Sequence, residues 1–235
     1  MSGLRRKWRR MRAAALVVAA LGGAGPSCAL ADRITLIVDR GPRAVEVFLA
    51  MPVSTAVTRF GLNPDLLKGP GGVVDFADFS GGTWDIGDAL LAGVDVRIGR
   101  APAGFEATSL MVHLKDQPLP FQTPFDGLTA ISVCGVAQPV TPPTLDDLYL
   151  YAGFVAYPPN AEAPLRFDLP EGPGERLSVT VREYGAGRTG TPRNLHLDPG
   201  QPLILGQKVG LSLWGLGLAT VALCGIVALR AVRRS

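Results

Sequence analysis

The feature that most limits this chain is a run of 21 residues, 209–229, that carries no charge and is followed at once by Arg230, Arg233 and Arg234. As a helix, an apolar run of about 20 residues is long enough to cross a hydrocarbon core of about 30 Å. Basic residues beside a span favour its cytoplasmic side. The sequence therefore predicts a transmembrane α-helix at 209–229 and a cytoplasmic basic tail at 230–235, with everything earlier on the far side.

The opposite end carries a matching signal. Residues 1–31 have the layout of a secretory signal peptide: a basic stretch (Arg5, Arg6, Lys7, Arg9, Arg10, Arg12), a short apolar stretch at 13–22, and small residues Ala29 and Ala31 suited to cleavage after Ala31. Together the two ends predict a single-pass type I protein of a bacterial inner membrane. Its working domain, 32–208, is expected in the periplasm and its C-terminus in the cytoplasm.

Charge supports that division. The whole chain is formally +3, but residues 32–208 hold 14 Lys+Arg against all 20 Asp+Glu. An acidic domain argues against nucleic acid as a partner. Cys28 and Cys224 fall in the terminal segments, so Cys134 is the one thiol of the domain and cannot form an internal disulfide. Its apolar flanks and the lack of a basic neighbour favour a buried free thiol over a reactive one.

Hydrophobic patterning within 32–208 reads as short strands. Residues 34–38 and 44–51 form a hairpin around the Gly41-Pro42 turn. A short helix follows, with Ser54 as N-cap, Ala56, Val57 and Phe60 on one face, and Gly61 as its stop. Residues 63–82 read as loop, and 85–91 as one or two helical turns. Further strands are expected at 94–98, 109–114, 128–136, 148–157, 165–169 and 176–184, with a last hairpin from 195–198 and 202–205. Many short strands between Gly/Pro turns predict a mainly β fold, an antiparallel β-sandwich of Ig-like architecture. No βαβ alternation is present.

Candidate chemistry is sparse. His113 and His196 are the only histidines, and no His-x-His, Cys-x-x-Cys or His-Glu-x-x-His spacing occurs. Asp75, Asp78, Asp85 and Asp88 form two pairs at three-residue spacing, an oxygen-rich pattern that calcium could use, although such aspartates also cap helices and solvate loops. No Gly-x-Ser-x-Gly elbow and no phosphate-binding glycine pattern is found. Tyr149, Tyr151 and Tyr157 share one strand parity and offer either a ligand floor or aromatic pairing across strands. No catalytic residue and no cofactor is assigned.

The apolar run has a pattern of its own. Gly210, Gly217 and Cys224 recur every seventh residue, with Gly215 and Ala219 as a second small set, which lets helix backbones approach closely in lipid. The sequence thus predicts a membrane-anchored accessory, assembly or scaffold protein, not an enzyme, that meets a membrane-protein partner through this helix. A ligand-binding module (calcium, glycan or small molecule) is the second reading, and a hydrolase the third.

Overall fold

The computed structural model describes residues 33–68, 74, 83–132, 141–170, 176–185 and 187–206. The expected first hairpin forms: β1 (Arg33–Arg40) runs antiparallel to β2 (Val45–Pro52), with Thr35 opposite Ala50. Side chains alternate between the faces of a strand. Here both faces are buried, Ile34, Leu36 and Val38 on one side and Ile37 with Phe48 on the other. A hairpin apolar on both faces belongs at the centre of a layered domain.

Helix α1 (Val53–Phe60) starts directly from β2. Its N-cap is Pro52 rather than Ser54, which lies inside the first turn, and Gly61 closes it with a left-handed φ of 68°. Ala56 and Phe60 are buried, as the spacing requires. Helix α2 (Thr83–Ala92) buries Ile86 and Leu90 against β5 (Glu106–Leu114). Between them in the chain lie β3 (Asp95–Ile98) and β4 (Ala101–Pro102). Helix α3 (Pro124–Ser132) precedes β6 (Leu148–Ala156) and β7 (Leu165–Asp168). The remaining strands are β8 (Leu177–Gly185), β9 (Arg188–Thr189), β10 (Arg193–Leu197) and β11 (Leu203–Leu205).

Two open sheets result. The larger has seven strands in the order β10-β8-β1-β2-β6-β5, with β9 on β8; the smaller has four, in the order β11-β7-β3-β4. One face of the large sheet packs with α1, α2 and the small sheet around the main core. Its other face carries α3, which buries Ala130 and Ile131 against Ile37, Phe48 and Tyr151.

This corrects the expected antiparallel Ig-like sandwich. The fold is mixed α/β with open, non-barrel sheets, and β1 pairs β8 in parallel, Leu36 opposite Val181. The 128–136 strand is also overturned: helix α3 occupies much of it, and 133–136 lies outside the described residues. Start signals for α3 are present in the sequence. Asp126 Oδ2 accepts from the backbone N–H of Gln122 and Thr123, and Thr123 Oγ1 accepts from that of Asp126. Pro124 pre-sets the first turn. The expected last hairpin also fails, because β10 pairs with β8 while β11 pairs with β7 in the other sheet.

The membrane reading is corrected as well. Among the described residues no helix is long and apolar enough to cross a membrane. The 209–229 run with Gly210, Gly215, Gly217, Ala219 and Cys224, the basic tail, and the signal with Ala29 and Ala31 all lie outside the described residues. Single-pass anchoring in an inner membrane, the periplasmic placement derived from it and a membrane-protein partner met through the helix are therefore not carried forward.

Candidate functional site

The main core is not filled. Between the large sheet and the layer above it lies a cavity of about 50 Å³ lined by fourteen residues, every one apolar. The floor includes Leu36 of β1, Leu49 of β2, Phe154 of β6 and Val179 of β8; the roof includes Phe60 of α1, Leu90 of α2, Val96 of β3 and Phe167 of β7. Strand alternation places these residues: the floor strands turn one parity inward, and β3 and β7 do the same from above. Their other parity carries Asp95 with Arg97 and Arg166 with half-buried Asp168, paired at 2.6 and 2.7 Å.

Native interiors hold few voids larger than a water. Several lining residues, Leu91, Val94, Phe105 and Leu169, are only partly buried, so the cavity lies close to the surface on the α2–β3 side. Leu169 also borders a smaller, mixed cavity lined by Arg59, Asp198 and Gln201.

The opposite face of the large sheet carries an aromatic group. His113 stands edge-on to Tyr151 with ring centroids 5.4 Å apart, and Phe121 and Tyr149 flank Tyr151 at 5.4 and 5.6 Å. Burial pushes the Tyr149 phenol up to about 12, with Tyr151 adding to the shift. Burial likewise raises Tyr151 and lowers His113, whose Nε2 lies 3.4 Å from the Ala130 carbonyl oxygen. The Tyr151 hydroxyl accepts from Leu119 N–H, and the Tyr149 hydroxyl donates to the Arg33 carbonyl. These polar tips are occupied in holding the sheet and its connections. Tyr157, expected to join them, lies just past β6 and is exposed.

Beside this group a polar ladder crosses three strands. Arg33 donates through Nε to Thr180 Oγ1 and through Nη2 to Asn194 Oδ1, and Ser178 Oγ lies 3.1 Å from His196 Nδ1. A Ser–His contact is the first element of a nucleophilic site. Here Ser178, the second residue of β8, has a partner on each side, Arg33 of β1 and His196 of β10, so the neighbouring backbone N–H groups are spent in the two ladders. An oxyanion hole needs free N–H donors beside the nucleophile. Asp198, the nearest carboxylate along β10, is held by Arg176 Nε at 2.8 Å.

A third polar locus lies outside the residues singled out from the sequence. Arg40, at the end of β1, is buried, and its Nη1 donates to the carbonyls of Ala161 and Ala163 at 2.8 Å each. Glu183 faces it at 3.4 Å and also takes Arg193 at 2.6 Å and Arg188 at 3.7 Å. Burial lowers the Arg40 pKa and Glu183 opposes the shift. The cluster ties the 161–163 segment to β1 and β8.

The residues singled out for metal are only partly described. Asp85 and Asp88 lie on α2 and are exposed, whereas Asp75 and Asp78, like Cys134, fall outside the described residues. Among the described residues no three His, Cys, Asp or Glu side chains group as metal ligands. Trp84 is exposed on α2. The cavity itself gave no sequence signal, since a lining residue and a packed core residue share the same pattern. No protein-family model and no curated protein sequence matches the chain.

Proposed function

We propose that this chain works by binding a small molecule in the cavity between its sheets, not by turning one over. The observation that carries this reading is the lining: fourteen apolar side chains surround the space. Such walls can exclude water and select by shape, but they hold no group to move a proton or attack a bond. The pairing of Ser178 on both sides, with β1 and with β10, supports the same reading.

A thermal-shift screen of the full chain tests it, using small molecules that range from apolar to charged. A ligand that binds only the folded state raises Tm with concentration. Ligands that raise Tm in the wild type and lose that effect in Val179→Ile, which adds a methyl group to the cavity floor, are the expected result. Equal effects in both proteins, or turnover of a ligand that vanishes in Ser178→Ala, would contradict the reading.

A further inference from the structure

We infer that the ligand group housed in this cavity is a compact hydrocarbon of a few carbons with no hydrogen-bonding atom, an inference that rests on the binding reading above. Three observations carry it. First, the nearest charged groups on β3 and β7 point away and are paired, Arg97 with Asp95 and Arg166 with Asp168. A hydroxyl or carboxylate inside would lose its water partners and gain none. Second, the polar side chains Arg59 and Gln201 line the smaller cavity, on whose border with the larger one Leu169 stands. Third, size sets the class. A water needs roughly 10–15 Å³ of such space, so about 50 Å³ would hold a few, yet apolar walls leave a cavity dry and receptive to apolar guests. The space houses a group of a few carbons, and anything longer would have to extend out past the partly buried Leu91 and Val94.

The test is a size-matched series added to the full chain, with methyl signals of Leu36, Leu90 and Val179 followed by NMR. The probes are propane, 1-propanol and propionate. Propane is expected to move these signals saturably. The alcohol should bind at least about tenfold more weakly, the loss of roughly 1.4 kcal/mol that one unpaired hydroxyl entails, and propionate should have no effect. Val179→Ile and, independently, Val47→Ile should abolish the propane response; the wild-type titration stands on its own if either variant fails to fold. Propionate or propanol binding as tightly as propane would overturn the hydrocarbon assignment and leave the binding reading intact. No response at these methyls to any probe would overturn the hydrocarbon assignment, and the Tm screen above then decides the binding reading separately.

Discussion

Arg40 and Glu183 meet at 3.4 Å where the arginine side chain has no exposed surface and the glutamate is only 11% exposed. The two close the end of β1 onto the parallel strand β8. A buried pair that loses one partner leaves an uncompensated charge, which typically costs about 3–5 kcal/mol. Two carbonyl acceptors on Arg40 soften that loss, while the Arg188 and Arg193 contacts of Glu183 add to it. Glu183→Gln is therefore expected to lower unfolding free energy by about 3 kcal/mol in urea titration. A loss under about 1 kcal/mol would show that the carbonyls alone hold Arg40.

Gly127 of α3 faces Phe48 of β2 without room for a side chain: a Cβ there would lie 2.5 Å from Phe48 Cγ. Gly127→Ala removes a flexible residue from a helix, which on propensity alone would stabilise by up to about 1 kcal/mol. Overpacking costs about 1–3 kcal/mol and outweighs that gain, because either Phe48 or α3 must shift. Net destabilisation of about 1–2 kcal/mol is expected by chemical denaturation, with the loss confined to the α3 face in hydrogen exchange. A neutral or stabilising result would mean that α3 packs less tightly than described.

His113 gives the fold a pH dependence of known sign. Burial holds its pKa below the ordinary value of 6.5. On acidification the unfolded chain takes up the proton first, so the contribution is complete above about pH 6.5 and is lost as pH falls from there toward the folded value. Unfolding free energy should drop between pH 7.5 and pH 5.5, and His113→Phe should reduce that drop. An equal drop in the variant would assign the dependence to other groups.

The sequence made the local pieces legible and hid their assembly. The β1–β2 hairpin, α1 with its Gly61 stop, and the alternation in β8 follow from spacing within a few residues. The parallel β1–β8 pair joins residues about 145 apart, such as Leu36 and Val181, and no local pattern encodes it. Helix α3 could have been found. Thr123 and Asp126 three residues apart, with Pro124 between them, form a capping box that outweighs the strand-like apolar run after it. Arg40 also left a trace, since it continues the inward parity of Leu36 and Val38 and so had to be buried with a partner. The cavity left none, because its walls are the residues any core would use.

Whether the space between the sheets takes an apolar guest is decided by diffraction from a crystal of the full chain pressurised with xenon. A xenon peak is expected between Leu36 and Leu49 below and Leu90 above, and is expected to be absent in crystals of Val179→Ile. A cavity that stays empty, or xenon bound only elsewhere on the molecule, would contradict apolar binding there.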